Sequence, residues 1–417
     1  MTEGDREEGG LGPEASSSHG ARRRRLLGGL GAGLAGIVPA GVGETWNREP
    51  DPAKVGSNGG AVVPSRTVSL AEHGGRPGVP PAMLAAAFGQ AFRALAEGGT
   101  LLVPAGVYDF GVLDGDAAVL CRNARNIAIS AYGAVFRAST RRRAAPNLFY
   151  FFNFSNVTIA GAGFHDCGFT PWFDWQGMHC VGLQADRPSA GFRMVDCHAE
   201  RVVGLLASHN NAATRRCIED VNVRAEIRDC YYGVGANYIR KGVDIDLSCH
   251  NVRRALIAYA LQDATIAVRV ACTPDWPGSN GLVALASNGA SAGDVARVRV
   301  RVDATGAGIH SSYVHFYHQG PEPRGAMRDI DATVNLVRVR GAGNLFTFDH
   351  EIGTVVRRTS RSWDRVTLHG SVDGPFSGKV VSNPSRSICP GSIYLDANLF
   401  AMAGPQQLAA GFVARPP

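Results

Sequence analysis

Amides, imidazoles, hydroxyls and cations recur at one position of a repeated pattern in this 417-residue chain. The segment 231–242, YYGVGANYIRKG, contains Tyr238, Arg240 and Lys241, while His209 lies one repeat earlier and Arg254 one repeat later. Removing a proton from the carbon beside a carboxylate requires a base, an acid, and a cation that neutralises the carboxylate. These five side chains are of the types that such a β-elimination needs.

Lys241 is unusual in this composition, because the chain has three lysines against 39 arginines. A lysine becomes a base when burial lowers its pKa. We therefore expect Lys241 or Tyr238 to be the base and His209 to be the acid or its partner. Arg240 and Arg254 are expected to neutralise the carboxylate. The alternative is that Lys241 is an ordinary turn residue before Gly242.

Other side chains along the repeat suit a sugar polymer, because amides and imidazoles bond hydroxyl groups and exposed aromatic rings stack on sugar rings. His318 is expected in the groove, whereas His315 is expected to be buried beside Phe316. The candidate binding residues are Trp172, Trp175, Asn210, Asn237, Tyr259, Asn288 and His318.

Two other classes of function stay open. Asp349 and Glu351, in the segment FDHE, alternate onto one strand face and could serve as the two carboxyl groups of a glycoside hydrolase. A non-catalytic binding or adhesion protein would also use such a groove. No histidine and cysteine spacing of the zinc type is present, so no metal site and no cofactor are predicted, and a divalent cation such as calcium stays open.

The pattern that carries these residues is a repeat of short strands. Residues 243–249, VDIDLSC, and 264–272, ATIAVRVAC, alternate strictly between apolar and polar or small side chains, which is typical of half-buried strands. Similar segments begin near Asn126, Asn156 and Phe192 and recur to Arg365 at intervals of 22 to 36 residues. A second apolar strand with a polar end follows in most repeats. This regularity predicts an all-β solenoid of parallel strands.

The start of the repeats has a more specific signature. Leu84, Phe88, Phe92 and Leu95 recur at helical spacing near residues 81–97, and the segment Val103 to Tyr108, VPAGVY, follows. This helix and strand resemble those of the pectate-lyase-like superfamily, which implies a single-stranded right-handed parallel β-helix with an N-terminal capping α-helix. The acidic run that often precedes this helix in that superfamily is replaced here by EHGGRPGVP. Polygalacturonase-type catalytic triplets are also missing.

The N-terminal segment has a separate function. Four arginines, Arg22 to Arg25, precede Leu26, Leu27 and a glycine- and alanine-rich run, which resembles a twin-arginine export signal. The expected organisation is a signal peptide at 1–43, a linker at 44–66, the β-helix at 67–400 and a tail at 401–417. We expect an exported protein, periplasmic or extracellular, without a permanent membrane span.

The charge limits the classes of partner, and the cysteine placement predicts the state of the thiols. The net charge is +6, and no basic run with interleaved aromatics occurs after the N-terminal segment, so nucleic acid is not expected as a partner. A polysaccharide is the expected substrate. Five cysteines end strand-like segments, which predicts stacked buried thiols rather than disulfides: Cys167, Cys197, Cys230, Cys249 and Cys272.

Overall fold

The chain is almost entirely β-structure. The computed structural model describes residues 66–140, 146–168, 178–210, 217–273, 281–288, 294–307, 311–319, 326–340, 343–350, 363–383, 393–408 and 413–414. These residues form 22 strands, two α-helices and one 3₁₀ turn, Leu70–His73. The helices are α1 (Pro81–Ala94) and α2 (Ala397–Leu408). The signal and linker segments expected at 1–43 and 44–66 lie outside the described residues, apart from Arg66.

The strands follow one another along the whole described chain. They are β1 (Thr67–Ser69), β2 (Gly99–Leu102), β3 (Gly106–Leu113), β4 (Ala117–Ser130), β5 (Ala134–Thr140), β6 (Asn147–Ala160), β7 (Gly163–His165), β8 (His179–Gln184), β9 (Ser189–Glu200), β10 (Gly204–Ser208), β11 (Ile218–Asn237), β12 (Val243–Tyr259), β13 (Gln262–Cys272), β14 (Val283–Asn288), β15 (Val295–Ala307), β16 (Ser312–Gln319), β17 (Met327–Arg340), β18 (Asn344–His350), β19 (Trp363–Asp373), β20 (Val381–Ser382), β21 (Ile393–Leu395) and β22 (Val413–Ala414).

Every registered strand pair is parallel, and each strand segment pairs with its counterpart in the next repeat. Three columns of stacked segments result, which we call A, B and C in chain order within a repeat. One inward ladder defines each column. Column A contains Leu101, Ile129, Ile159, Met194, Val223, Ile245, Ile266, Val300, Ala332, Leu368 and Leu395. Column B contains Tyr108, Phe136, Phe164, Ala199, Ile227, Cys249, Val270, Ala304, Leu336 and Val372. Column C contains Val119, Phe149, Val181, Leu206, Val234, Leu256, Val283, Val314, Phe346 and Val381.

These ladders form the hydrophobic core. Nearly all of their members are buried, because alternation along each strand turns every second side chain inward. Each interior Leu, Ile, Phe or Val contributes about 1.5–3 kcal/mol by leaving water. The repeated sequence pattern therefore fixes the core, and the intervening positions are left for the outer faces.

The corner from column C to column A ends on a left-handed residue, one position before the column A segment. Its side chains are Asn or Asp at the positions Asn126, Asn156 and Asp220, and Asp alternates with Arg further along the chain. Asn and Asp adopt positive φ more readily than most residues, which explains their place here. The nine corner residues are Asn126, Asn156, Gly191, Asp220, Gly242, Asp263, Arg297, Asp329 and Arg365.

Helix α1 covers the first strands of the core. Its Phe88 ring lies 5.9 Å from Phe110, 6.1 Å from Phe136 and 5.3 Å from Phe149 between centroids. The helix ends at Ala94, within the predicted segment 81–97, because the next residues turn towards Gly98 at φ +100°. Apolar side chains at helical spacing thus produce a helix that closes this end of the core.

The segment VPAGVY forms the turn and strand expected after α1. The Tyr108 side chain is buried, and its hydroxyl donates to the carbonyl of Pro104 at 2.7 Å. Gly106 has φ +138°, and a Cβ there would lie 2.4 Å from Cγ of Pro77. Glycine is therefore required at this position by both backbone conformation and space.

The eight cysteines among the described residues are free thiols, and they include the five that end strand-like segments. Cys249 stands in the column B ladder between Ile227 and Val270. Burial raises the pKa of Cys197 and of Cys230 to about 12, so both are neutral thiols. Cys272 is only partly buried, since it lies at the end of β13.

The boundary expected between the β-domain and the tail falls inside helix α2. Helix α2 runs through residue 400, so a division between β-domain and tail at 400–401 would cut a helix. Leu399 and Ala403 are buried in the core, which holds the helix against the last strands. In the described part of the chain, no helix has both the length and the apolar character needed to cross a membrane.

Candidate functional site

The outer face of column C carries small residues between two polar groups. One outward row passes through Tyr150, Gly182, Ala207, Gly235 and, after two more residues, His315. Tyr150 and His315 are six strand spacings apart, or about 29 Å. Between them the row contains four small residues, all buried, and one larger residue, Ile257.

A histidine cluster lies at the N-terminal end of this row. We define it as Asn147, Tyr150, His179, Gln184 and His209. Nε2 of His209 lies 2.9 Å from Oδ1 of Asn147, and its ring is edge-on to Tyr150 at 5.8 Å between centroids. The ring of His179 is 5.5 Å from that of His209. The Tyr150 hydroxyl donates to Oε1 of Gln184.

Backbone pairing positions each member of the cluster. Asn147 and Tyr150 lie on β6, and the paired strand β8 brings His179 and Gln184 beside them. His209 follows β10, where its backbone N–H donates to the carbonyl of Leu183 at 2.7 Å. Three neighbouring strands of column C therefore converge on one set of polar side chains.

Two glycines make room for these side chains. A Cβ on Gly182 would lie 2.3 Å from Oδ1 of Asn147 and 2.8 Å from Cδ2 of Tyr150. A Cβ on Gly204 would lie 2.6 Å from Cδ2 of His179. All three distances are shorter than real Cβ contacts, so the cluster requires glycine at both positions.

Burial sets the protonation of the cluster. It lowers the pKa of His209 to about 4, while burial and then the neighbouring His209 lower that of His179 to about 3. Both imidazoles are therefore neutral near pH 7. Burial and then Asp116 raise the pKa of Tyr150, whereas Arg122 lowers it, and the phenol is protonated. The cluster thus combines neutral bases with a phenolic acid.

A second polar group lies at the other end of the row. The Tyr317 hydroxyl donates to that of Tyr259 at 2.9 Å, and the Tyr317 ring lies 5.2 Å from His315. Burial and then the nearby charge of Arg254 lower the pKa of His315 to about 4. The Arg254 guanidinium is anchored by Nε, which donates to the carbonyl of Gly281 at 3.3 Å.

The structure separates the five residues proposed for catalysis. His209 and Arg254 share the outer face of column C, on strands two spacings, or about 10 Å, apart. Lys241 and Arg240 lie at the corner before column A, where both contact Glu219, at 3.3 Å and 3.0 Å. Lys241 is half exposed, because the chain leaves column C before reaching it.

Tyr238 is buried, which corrects its assignment as a base open to substrate. It occupies a left-handed corner position, with φ +56°, directly after the outward Asn237. The alternation of the strand therefore places the two neighbours differently. Asn237 and Tyr259 do lie on the outward side of column C, in register with each other.

Two more binding candidates are buried. His318 is 1% exposed, contacts the Trp363 ring at 4.4 Å and bonds the hydroxyl of Ser287. His315 lies three residues before His318, so the alternation of side chains along β16 places it on the opposite, outer face. Asn210 is 4% exposed, and its Oδ1 accepts a hydrogen bond from the Ala185 N–H at 3.0 Å. Both side chains are buried, so neither lies on the outer face of column C where it was expected.

The remaining candidates are less defined. Asp349 pairs with Tyr317 on the outward side of β18, and Glu351 lies outside the described residues. Trp172 and Trp175 lie outside them as well. Asn288 ends β14 in register with Gln319, and its side chain is not among those described.

Sequence reasoning missed Asn147, Tyr150 and His179. Their strands, β6 and β8, precede the segment 231–242 on which the prediction of the site was centred. The signal that could have found them is the alignment of NLFYFF with HCVGLQ, which places Gly182 opposite Tyr150. Among the described residues, no group of three metal-ligating side chains is present.

Comparison with known proteins gives no family. No protein-family model and no curated protein matches the sequence. A hyperthermoactive exopolygalacturonase from Thermotoga maritima is similar in structure, with 13% identity over 81% of this chain and 88% of that one and a TM-score of 0.37. The A-module of a mannuronan C-5 epimerase from Azotobacter vinelandii gives 11% identity over 79% and 99%, with a TM-score of 0.24. Neither likeness assigns an activity to this chain.

Proposed function

We propose that this chain is an exported enzyme that cleaves an acidic polysaccharide by β-elimination, at the histidine cluster on the outer face of column C. In this proposal the parallel stack is a right-handed β-helix capped by α1, and residues 1–43 and 44–66 are a twin-arginine-type signal and a linker. The in-register ladders and the buried ring contacts of α1 support the fold. The arginine-rich N-terminal sequence supports export.

One observation carries the reaction: a neutral imidazole and a protonated phenol face each other over a glycine floor. The rings of His209 and Tyr150 are 5.8 Å apart, and Gly182 lies in the row between their strands. A site that needs a base and an acid near neutral pH has this composition.

The proposed roles follow from the hydrogen bonds. Because the Oδ1 atom of Asn147 is an acceptor, Nε2 of His209 donates to it, and Nδ1 keeps the lone pair. Nδ1 takes the proton from C5 of a uronate, and the electrons of that C–H bond form the double bond between C4 and C5. The bond from C4 to the glycosidic oxygen then breaks, and the Tyr150 hydroxyl protonates that oxygen.

The surrounding groups adjust these two residues. An anionic sugar beside the His209 ring raises the pKa of the imidazole from about 4 and strengthens it as a base. Gln184 accepts the hydrogen bond of Tyr150 and orients its hydroxyl. Arg122 is near enough to lower the pKa of Tyr150, so it is a candidate to bind the uronate carboxylate.

The test is incubation of the full chain with polygalacturonate, alginate and neutral polysaccharides. Near-ultraviolet absorbance detects the unsaturated uronate that elimination leaves, and a reducing-sugar assay detects any new chain end. We expect both signals to rise with an acidic polymer and to fall by about 100-fold or more in His209→Gln and Tyr150→Phe. The matched control is His165→Gln, which removes another partly buried histidine from column B.

Three outcomes would refute the proposal. Reducing ends without absorbance would indicate hydrolysis, with Asp349 and Glu351 as the next residues to change. Retardation in polysaccharide gels without either signal would indicate a binding or adhesion protein. Equal losses in His165→Gln and His209→Gln would show that the cluster has no special role.

A further inference from the structure

A cleft of about 610 Å³ lies between the second half of α1 and the middle of β4, where the chain turns from column C to column A. Gly89, Phe92 and Arg93 line it from the helix, and residues 120–127 line it from the strand. β4 provides the first strand segment of column C, so the cleft lies at the N-terminal end of that outer face. Gly89 leaves it open, because its position on the helix has no side chain.

The cleft has a positive lining. Arg93, Arg122 and Arg125 are all exposed, and none forms an ion pair with a described carboxylate. Elsewhere the exposed arginines are often paired, as Arg297 is with Asp263 at 2.8 Å. Glu97 is the one carboxylate in the lining. Unpaired guanidinium groups attract carboxylates, which they bind with two parallel hydrogen bonds.

Strand pairing connects the cleft to the histidine cluster. Leu120 pairs with Tyr150, and Arg122 pairs with Phe152, which pairs in turn with Gln184. The Arg122 guanidinium carbon lies 5.0 Å from the centre of the Phe152 ring. A polymer that follows this row from the cleft crosses one strand spacing, about 4.8 Å, before it reaches Tyr150.

We infer that this cleft is an anion-binding subsite that holds uronate residues of the substrate beside the residue that is cleaved. Arg93 and Arg125 bind carboxylates at the far end, and Arg122 binds a carboxylate next to Tyr150. The inference deepens the proposed function, because it identifies the ligand as a polyuronate. Neutralising carboxylates at this end orients the chain so that its next residue lies over Gly182.

The test measures the affinity of the full chain for polygalacturonate by retardation in gels, at several NaCl concentrations. His209→Gln serves as the background if the wild type cleaves the polymer. We expect Arg93→Gln and Arg125→Gln each to weaken binding by about two- to fivefold and their combination by about tenfold. Glu97→Gln is expected to tighten binding, because it removes the only negative charge from the lining. Added salt and methyl esterification of the polymer are expected to weaken it.

The matched control is Arg193→Gln, which removes an exposed arginine from the outer face of column A. Equal effects of Arg193→Gln and Arg125→Gln would overturn the inference, as would tighter binding to single-stranded DNA than to polygalacturonate. The two proposals fail separately. Cleavage with unchanged affinity in the cleft variants would refute the subsite alone, whereas lost affinity without any cleavage would refute the reaction alone.

Discussion

Replacement of Gly182 by alanine is expected to disable the histidine cluster while leaving the stack of strands in place. The new Cβ would lie 2.3 Å from Oδ1 of Asn147, about 1 Å closer than an ordinary contact. Asn147 must therefore move away, and His209 loses its hydrogen-bond acceptor. Tyr150 must also move, since its Cδ2 would be 2.8 Å from the same methyl group.

The expected magnitude has two parts. Overpacking of this kind costs about 1–3 kcal/mol, and loss of the bond between Asn147 and His209 adds about 1 kcal/mol. The free energy of unfolding is therefore expected to fall by about 2–4 kcal/mol. Displacement of the acid and base by about 1 Å is expected to lower the rate of elimination on the order of 100-fold.

Gly235→Ala is a closely matched control, because Gly235 occupies the same outward row two strands further on. A Cβ there would meet its nearest atoms at 3.7 Å, an ordinary contact. Replacing a strand glycine is then neutral or stabilising by about 0.5–1 kcal/mol. Urea denaturation and the absorbance assay compare the two variants. Equal stability and activity in Gly182→Ala and Gly235→Ala would refute the account of the cluster.

Three further expectations test the pKa values, the corners and the site. The pKa of His209 is about 4 in the folded chain, against an ordinary value of 6.5 for an exposed histidine, so the unfolded chain binds more protons between these two pH values. Stability is then full above pH 6.5 and falls by up to about 3 kcal/mol towards pH 4, and urea midpoints should fall less steeply in His209→Gln. Ala260 has φ +55°, so Ala260→Gly should raise the free energy of unfolding by about 0.5–1 kcal/mol, whereas Ala258→Gly should lower it, as urea denaturation can measure. Lys241→Gln should change the elimination rate by less than about twofold, because Lys241 contacts Glu219 outside the cluster, and a larger loss would restore it as the base.

The fold was readable from the sequence because one physical rule repeats. Inward side chains must be apolar in every strand, so alternation in VDIDLSC places Val243, Ile245, Leu247 and Cys249 in the core. Column A strands begin within two residues of the predicted starts. The left-handed corner before each strand selects Asn, Asp or Gly in most repeats, which marks the same boundary independently.

The site was harder to predict from the sequence, because outward positions are not restricted to apolar side chains. In SSYVHFYHQG both parities contain aromatic residues, with His315 and Tyr317 on one face and Phe316 and His318 on the other. Register with the neighbouring Phe348, and not the segment itself, turns Phe316 inward. The prediction for Lys241 rested on the rarity of lysine in the composition. That rarity gives no information on where the residue lies in the fold.

The outer face of column C differs from those of columns A and B in the charge state of its polar side chains. On column A, exposed pairs such as Arg301 and Asp303 at 2.8 Å keep their charges in water, and each contributes little to stability. On column B, the pKa of His165 is lowered by burial, but Glu200 acts in the opposite direction and favours the charged ring.

The imidazoles of column C have no such compensation. Burial lowers the pKa of His179, His209 and His315 to between about 3 and 4, and no carboxylate counters the effect. Keeping these rings neutral outside the core reduces stability in acid and adds nothing to the stacking of the strands. In the proposed reaction, the neutral imidazole of His209 provides the unprotonated nitrogen that base chemistry needs.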